Sequence, residues 1–376
     1  MTKRLRIGYV PLTDAALLHV AKARHFAAAR GVEIDLVADS SWANIRDKLV
    51  AGHFDAAHML APAAIAVSLG IGQIEAPLVA PVALGLNGNA ITVSQALFVA
   101  LRQEAEGDMA DPRVTAKALA RIVAGRRERG EALLTFGHVF PFSSHHYQLR
   151  LWMRAGHLDP DEDIRLVVVP PPLMVWTLRK GQLDGFCVGA PWNAVAVAAG
   201  AGIILHQGTA IVRDCPEKVL AFRAEWVRSH GNDVRALTEA IGDASRWAAA
   251  PSNRDALVAL LTNAAEQDVS ARTIERILET PVSPSGPARS ETGLRLGDDA
   301  IKADPAHALW LYAQMAAAGQ TVYSRVEAEA AAAVYAPALG PPISLPAATP
   351  VAFAGPAFSP NDIASYLAAL KAGLPS

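Results

Sequence analysis

The sequence predicts an α/β protein made of two similar lobes. Strand and helix patterns alternate through the first half of the chain, which is typical of parallel βαβ units. The same order of elements then returns at a constant offset along the chain, the offset that carries Gly8 to Gly137. A length of 376 residues is enough for two or three domains with a large core.

Composition excludes several functional classes. Apolar residues make up 52% of the chain and charged residues 19%, as in a globular protein. The 34 basic and 36 acidic residues nearly cancel, so a broad nucleic-acid surface is not expected. Two cysteines cannot form a disulfide framework, and no run reaches the ~18 apolar residues of a membrane-spanning helix.

The first residues are basic but do not read as an export signal. An apolar stretch of ~7–15 residues should follow a basic start in a signal peptide. Here Ile7–Val10 runs directly into Pro11, Thr13 and Asp14. We therefore expect the first strand of a folded domain at this point, and a cytoplasmic protein.

The first lobe is predicted from three strands and three helices in alternation. The first helix has apolar residues at helical spacing and ends at Gly31, a favourable C-terminal cap. The second helix stops before Gly52. The six predicted elements, in chain order, are strand Arg4–Val10, helix Asp14–Arg30, strand Val32–Val37, helix Trp42–Val50, strand Phe54–Met59 and helix Ala63–Leu69.

The second lobe repeats this order. Its predicted elements are Leu133–Val139, Tyr147–Ala155, Leu166–Val169, Leu173–Lys180, Phe186–Val188 and Trp192–Ala199. The offset that places Gly8 on Gly137 also places Asp55 on Asp184. Two lobes with a ligand cleft would explain the repeat, since ligands of open α/β sheets bind beyond the strand ends. The alternative is that unrelated βαβ stretches share Gly, Asp and Pro at turns.

The remaining segments complete the predicted organisation. Asn89–Leu101 is a candidate crossover, Arg102–Gly130 a charged surface helix, and Pro341–Pro360 an ordered strap or a linker. Lobe I is predicted to contain residues 1–95 and 206–376, and lobe II residues 96–205. After Gly202 the chain turns helical, with predicted helices Asp233–Ala250, Arg254–Gln267, Ser270–Glu279, Ala306–Ala318, Val326–Val334 and Asn361–Ala372.

No enzyme signature is present. The chain lacks a nucleophile elbow, a P-loop, a dinucleotide-binding glycine pattern and a zinc-protease motif. His53 and His58 are five residues apart across a turn and a strand, a poor spacing for a metal. We therefore predict a protein that is not an enzyme and that uses no metal or cofactor.

Four segments and one downstream lysine carry the candidate ligand-binding residues. Trp42 begins a predicted helix and can donate an N–H, or be a core residue. Asn89 follows an Asn-Gly turn, and its amide can donate to an anion. His145 lies after a strand in a serine-rich helix start, which also fits a simple helix cap. Gly189 would let a ligand approach the backbone, and Lys218 is either a ligand or a surface lysine.

Taken together, these segments resemble the nitrate and bicarbonate solute-binding family of ABC transporters. The resemblance is carried by S-W-A-N-I-R-D-K-L, A-H-M-L-A-P, L-N-G-N-A-I-T, P-P-P and D-G-F-C-V-G-x-P-W-N-A-V-A. It is close over Arg4 to Leu220 and looser in the helical remainder. It implies a two-lobed, periplasmic-binding-protein-like clamp of type II with a helical C-terminal extension and an oxyanion between the lobes.

The resemblance also implies a set of nitrate ligands. By motif they fall on Trp42, Asn89, His145, the backbone of Gly189, and Lys218. Bicarbonate-binding relatives resemble this sequence with an acidic residue at the lysine position and a bridging metal, so Lys218 favours nitrate or nitrite. A buried monovalent anion needs a nearby cation, and Lys218 supplies one. Lys218→Ala is expected to abolish nitrate binding and to leave the fold intact.

Without an export signal, the resemblance narrows to the cytoplasmic nitrate sensor of the assimilatory nitrate regulatory pair, the NasS type. Its family partner is an RNA-binding antiterminator with an ANTAR domain, which the ligand-free sensor holds inactive and nitrate or nitrite releases. Direct contact with nucleic acid or membrane is not expected. The first alternative is the solute-binding component of a nitrate ABC transporter. The second is a biosynthetic enzyme on the same clamp fold, which would need a reactive His or Cys.

Overall fold

The computed structural model describes residues 3–72, 74–264, 269–278, 293–342 and 349–372, which form two compact units. Unit 1 lies within Met1–Asn87, Pro216–Arg276 and Leu294–Thr349. Unit 2 lies within Gly88–Cys215, Ile277–Gly293 and Pro350–Ser376. Each unit is built on its own five-stranded sheet.

The strands, in chain order, are β1 Lys3–Tyr9, β2 Val32–Ala38, β3 Ala56–Leu60, β4 Leu78–Ala83, β5 Asn89–Ser94, β6 Thr135–His138, β7 Arg165–Val168, β8 Gly185–Gly189, β9 Gly202–Gln207, β10 Val212–Arg213, β11 Lys218–Arg223 and β12 Val351–Ala352. The helices are α1 Ala16–Ala23, α2 Trp42–Val50, α3 Ala61–Ser68, α4 Gln95–Glu104, α5 Pro112–Glu128, α6 Ser144–Ala155, α7 Met174–Arg179, α8 Trp192–Ala198, α9 Gly208–Ile211, α10 Ala224–Ala249, α11 Arg254–Ala264, α12 Ala271–Leu278, α13 Pro305–Ala317, α14 Arg325–Val334 and α15 Ile363–Ala372.

The sheet of unit 1 has the order β2-β1-β3-β11-β4. β1 is parallel to both of its neighbours, whereas β11 runs antiparallel to β3 and β4. All five residues of β3 are buried, which fits a central strand covered on both faces. Gly8 of β1 packs so closely that an added Cβ would lie 2.2 Å from the Phe54 ring. Only glycine allows this contact between the strand and the segment before β3.

The sheet of unit 2 has the same plan, with the order β7-β6-β8-β5-β9. β6 is parallel to β7 and β8, and β5 is antiparallel to β8 and β9. Helices α5 and α6 pack against each other beside this sheet. Both units therefore have the predicted α/β architecture, but their sheets are mixed, because β11 and β5 run antiparallel to the strands that the alternation predicted as parallel.

The strand registers repeat at the offset found in the sequence. Ile7 pairs with Ala56 in unit 1, and Phe136 pairs with Gly185 at the corresponding positions in unit 2. Matching registers require more than shared turn residues, because a one-residue slip reverses the faces of a strand. The repeat is therefore structural, and the alternative of coincidental turn residues is not needed.

The unit boundaries differ from the predicted ones because two strands cross over. The prediction placed residues 88–95, 206–215 and 350–372 in lobe I, whereas all three segments lie in unit 2. β5 follows the strands of unit 1 in the chain but joins the sheet of unit 2, and β11 does the reverse. An apolar strand pattern does not say which sheet the strand joins, so sequence periodicity could not assign them.

The C-terminal half also needs correction in places. β9 and β11 lie in the region predicted to turn helical after Gly202, and Arg102–Gly130 is interrupted between α4 and α5, where Asp111 caps α5. Within the predicted Pro-rich strap, β12 pairs antiparallel with β10 in unit 2, while residues 343–348 lie outside the described residues. The predicted ends of two helices, at 265–267 and 279, also lie outside them.

In the described portion of the chain, none of the helices combines the length and the apolar character needed to cross a membrane.

Candidate functional site

Unit 1 brings two of the predicted ligands, Trp42 and Lys218, into one buried cluster. Trp42 is the first residue of α2, and its side chain is buried because the chain enters the helix from an extended residue, Ser41. Lys218 is the first residue of β11 and pairs with Leu60 at the end of β3. The Lys218 side chain is 1% exposed, which excludes the alternative of a surface lysine.

Two further residues complete this cluster and were not predicted as ligands. Asp14 lies in a short turn of 3-10 helix after β1, and His58 lies in the middle of β3. Lys218 Nζ is 2.8 Å from Asp14 Oδ2 and 2.5 Å from Glu217 Oε2. His58 Nε2 is 3.1 Å from the other carboxylate oxygen of Asp14. We call Asp14, Trp42, His58, Glu217 and Lys218 the lysine cluster.

Aromatic rings cover the charged atoms of the lysine cluster. Lys218 Nζ lies 5.1 Å from the centroid of the Trp42 ring, within the range of a cation–π contact. The Trp42 and His58 rings meet edge to face, with centroids 5.2 Å apart. The cluster is thus a buried site, in which electrostatic interactions are stronger than at the surface.

The charges within the cluster shift each other's pKa. Burial alone would raise the pKa of the Asp14 carboxyl, but attraction to Lys218 and His58 outweighs it and holds that pKa well below its usual range. Burial would lower the pKa of the Lys218 ammonium, but Asp14 and Glu217 raise it. Lys218 is therefore charged at neutral pH, and its charge is already shared with carboxylates. The sequence argument, which treated Lys218 as an open counter-ion, did not anticipate these partners.

Five buried polar atoms at the lysine cluster and at the adjacent Thr13 make no hydrogen bond to the described residues. They are Thr13 Oγ1, Asp14 Oδ1, Trp42 Nε1, His58 Nδ1 and His58 Nε2, of which Asp14 Oδ1 and His58 Nε2 lie within ion-pair distance of each other. A buried donor or acceptor without a partner costs ~1–3 kcal/mol. Such groups beside a buried ammonium are suited to a small ligand that accepts hydrogen bonds.

Unit 2 brings the other three predicted ligands together. Asn89 at the start of β5 is the cross-strand partner of Gly189 at the end of β8. Its amide Nδ2 donates to Ser144 Oγ at 3.2 Å, at the start of α6. His145 follows in the first turn of α6 and is fully buried. Ser143 caps this helix by accepting from the His146 N–H at 3.2 Å, as the serine-rich start predicted.

The two groups of residues occupy equivalent places in the two sheets. The cross-strand pair Asn89 and Gly189 in unit 2 corresponds to the cross-strand pair Lys218 and Leu60 in unit 1. Asn89 is equivalent to Lys218, and Gly189 to Leu60, at the same sequence offset that relates Gly8 to Gly137. The turn before β5 has left-handed backbone at Asn87, with φ 65°, as an Asn-Gly turn favours. The repeat thus places an amide in one unit where the other has an ammonium.

Further buried histidines in unit 2 add no positive charge at neutral pH. Burial lowers the pKa of His138 to about 4, and burial together with His138 holds the pKa of His146 well below its usual range. Their rings lie 4.7 Å apart. Nearby, the two terminal nitrogens of Arg150, a side chain that is 4% exposed, make a bidentate ion pair with Asp161 at 2.6 and 2.5 Å.

The sequence contained a signal for the two missed residues. At the offset of the repeat, Asp14 is equivalent to Ser143, which caps α6. Both are polar residues shortly after a strand, and this equivalence could have marked Asp14 as a candidate. His58 lies within the A-H-M-L-A-P motif, but it was considered only as a metal ligand paired with His53. Among the described residues, no three His, Cys, Asp or Glu side chains are arranged to hold a metal.

Solved structures identify the class of fold. The periplasmic nitrate-binding protein NrtA from Synechocystis PCC 6803 matches with a TM-score of 0.83 at 25% identity, over 98% of both chains. A zinc-bound ligand-binding component of an ABC-type import system from Staphylococcus aureus matches in fold, with a TM-score of 0.68 at 17% identity, over 90% of this chain and 97% of that one. The protein therefore has the two-unit α/β fold of the periplasmic-binding-protein class.

Sequence comparison identifies the family: the chain belongs to the NMT1-like family, whose model matches residues 1–262. It is 37% identical over 245 residues to the nitrate import ATP-binding protein NrtC of Synechocystis sp., and the aligned region covers 65% of this chain and 34% of that protein. It is 36% identical over 261 residues to the bicarbonate transport ATP-binding protein CmpC of Synechococcus elongatus, and the aligned region covers 69% of this chain and 37% of that protein. The nitrate/nitrite binding protein NrtA of Nostoc sp. is 31% identical over 279 residues. The aligned region covers 73% of this chain and 60% of that protein.

The chain thus spans about a third of the first two relatives and 60% of the third. Homologues such as NrtA are solute-binding proteins and not enzymes, which supports a non-enzyme at the level of the family.

Proposed function

We propose that this protein binds nitrate, and nitrite as well, through the lysine cluster of unit 1. The observation that carries the proposal is a buried ammonium, Lys218, beside a tryptophan N–H and other polar atoms without partners. Nitrate is a planar monoanion that only accepts hydrogen bonds, so a site of donors around one ammonium suits it. Sulfate or phosphate would bring a second charge into a site that already contains carboxylates.

Lys218 also favours nitrate over bicarbonate. The relatives alone do not decide between these two anions, because they include proteins named for each. NrtA is named for nitrate and nitrite, and CmpC for bicarbonate transport. The family resemblance implies an acidic residue and a bridging metal at the lysine position of bicarbonate-binding relatives. A lysine at position 218 repels a metal cation and attracts an anion.

Asn89, His145 and the backbone of Gly189 in unit 2 are the further ligands in this proposal. Asn89 and Gly189 are cross-strand partners, and Asn89 reaches the helix start that contains His145. Amide, imidazole and backbone N–H groups all donate hydrogen bonds, as nitrate requires. The amide of Asn89 and the backbone of Gly189 add donors without adding charge.

Titration calorimetry with four anions tests this binding function. Nitrate and nitrite should bind to the purified protein, whereas sulfate, and bicarbonate with or without Ca²⁺, should give no heat at equal concentrations. Trp42→Phe keeps the ring but removes the N–H, so it should weaken nitrate binding by about 1–3 kcal/mol. Tight bicarbonate binding that requires Ca²⁺, with no nitrate heat, would overturn the proposal.

We further propose that the protein acts in the cytoplasm as a nitrate sensor. In this account the ligand-free form holds an ANTAR-domain, RNA-binding antiterminator, and nitrate releases it, which controls nitrate assimilation genes. A ligand shifts such an equilibrium only by its differential affinity for the two states. A 100-fold preference corresponds to about 2.7 kcal/mol, within the range of measured allosteric couplings. The near-neutral net charge of −2 supports a protein that leaves RNA binding to its partner.

A sizing column distinguishes the sensor from its main alternative. The sensor and the antiterminator should co-elute without ligand and separate in millimolar nitrate, with millimolar sulfate as the control for ionic strength. The alternative is the solute-binding component of a nitrate ABC transporter, which the match to periplasmic NrtA over 98% of both chains favours. A protein that binds nitrate, forms no complex with the antiterminator and fractionates outside the cytoplasm would establish that alternative.

A further inference from the structure

The Asp14 carboxylate lies between two groups that can both be positively charged. Its Oδ2 is 2.8 Å from Lys218 Nζ, and its Oδ1 is 3.1 Å from His58 Nε2. All three side chains are at most 7% exposed. A lysine at neutral pH is charged, whereas a histidine can be neutral or charged with a small change in its surroundings.

Charge neutrality limits what this arrangement can bind. Two carboxyl groups, those of Asp14 and Glu217, already face the single Lys218 ammonium, so a nitrate beside them adds a further negative charge to a buried site. Burying an unpaired charge is costly, even after relaxation of the protein. Glu217, 2.5 Å from Lys218 and engaged in further interactions, brings no positive charge of its own. One added positive charge near Asp14 would offset the charge that the nitrate brings.

His58 is placed to provide that charge. His58 Nε2 lies 3.1 Å from Asp14 Oδ1 without a hydrogen bond of regular geometry, and His58 Nδ1 has no hydrogen-bond partner among the described residues. A neutral imidazole with its hydrogen on Nε2 leaves Nδ1 as an acceptor. Protonation of Nδ1 creates a second donor and a net positive charge. Asp14 stabilises the imidazolium, and an oxyanion can accept from the new N–H.

The other ionisable groups around His58 do not serve this purpose. Lys218 on β11 and Asp14 after β1 already carry their charges, and Glu217 beside Lys218 has no positive charge to offer. On α1, burial together with the nearby His58 lowers the pKa of His19 to about 4, so His19 stays neutral near pH 7. His19, a half-buried histidine in the same unit, is therefore the control.

We propose that His58 takes up one proton from solvent when the anion binds, so that imidazolium and ammonium together hold it across Asp14. This inference rests on the proposed function in nitrate binding. It makes His58 a further ligand-binding residue, and it makes the site selective for monoanions. A dianion would need a second added positive charge, which the lysine cluster does not offer among these groups.

Calorimetry in buffers with different ionisation enthalpies counts the protons directly. In the wild-type protein at pH 7.5 to 8, the observed heat of nitrate binding should vary linearly with buffer ionisation enthalpy, with a slope of about one proton per nitrate. Nitrate affinity should fall by up to about tenfold for each unit by which the pH is raised, because proton uptake favours binding at lower pH.

Two variants assign the proton. His58→Gln should bind nitrate more weakly, with no proton uptake and a pH-independent affinity, whereas His19→Gln should keep the wild-type slope. Nitrate heat in the wild-type protein with a slope of zero would overturn this inference and leave the proposed function in place. Uptake that persists in His58→Gln would also overturn it. No nitrate heat in any buffer would instead refute the proposed function itself.

Discussion

Replacement of Lys218 by methionine should destabilise unit 1 as well as abolish nitrate binding. Methionine keeps most of the side-chain volume but removes the ammonium that lies 2.8 Å from Asp14 and 2.5 Å from Glu217. Asp14 would then be a buried carboxylate without its main counter-charge. Loss of one partner of a buried ion pair costs about 3–5 kcal/mol, a large share of the ~5–15 kcal/mol that stabilises a typical protein. The same cost applies to Lys218→Ala, for which the sequence alone predicted an intact fold.

The cost should depend on pH in a defined direction. Lys218 and His58 hold the pKa of Asp14 below its usual range, so their stabilisation is present above the unfolded-state pKa of about 3.9 and is lost at lower pH. In Lys218→Met the pKa of Asp14 should rise, because burial then meets less opposition. The stability difference between variant and wild type should therefore shrink as the pH falls from 7 towards 4.

Urea unfolding followed by circular dichroism measures these effects. Lys218→Met/Asp14→Asn should recover part of the lost stability, since the unpaired carboxylate is gone. Lys22→Met, at an exposed lysine of α1 in the same unit, is the matched control and should change stability by less than about 0.5 kcal/mol. A Lys218→Met protein as stable as the control at pH 7, or a double variant no better than the single one, would refute the electrostatic account of the cluster.

Three further predictions concern binding, packing and pH. His145→Ala should weaken nitrate binding by about 1–3 kcal/mol through loss of a hydrogen bond, and an unchanged calorimetric affinity would remove His145 from the ligands. Gly156→Ala places a Cβ 2.2 Å from a backbone carbonyl oxygen of α5 and should cost about 1–3 kcal/mol. Gly231→Ala, with nothing within 4 Å, should be neutral or stabilising, so equal urea midpoints for both variants would contradict this packing. Burial lowers the pKa of His138 and His206 to about 4, so both imidazoles are held neutral in the folded protein. The stability that they contribute is fully present above pH ~6.5 and should decline on acidification towards pH 4.5, because the unfolded chain takes up protons first. A urea midpoint that stays constant over this range would contradict the prediction.

The fold could be predicted from sequence because its repeat leaves a local trace. Gly8 and Gly137 mark equivalent strands, and the pairing registers of both sheets follow the offset between these two glycines. The unit boundaries could not be predicted in the same way. β5 and β11 exchange sheets, and their membership depends on long-range pairing, which hydrophobic periodicity does not encode.

The candidate site was predictable only in part. Trp42 and Lys218 were found through motifs, and the structure places them side by side in unit 1. Asp14 and His58 were missed as ligands, because a lone carboxylate after one strand and a histidine inside another have no fixed spacing in sequence. Their ion pairs with each other and with Lys218 exist only once β1, β3 and β11 lie in one sheet.

A crystal structure of the protein grown with nitrate tests the central claim most directly. The account predicts planar density within about 3 Å of Lys218 Nζ, with the Trp42 indole N–H donating to one of its oxygens. Density for nitrate at a different place, with the Lys218 ammonium bound only by Asp14 and Glu217, would contradict it.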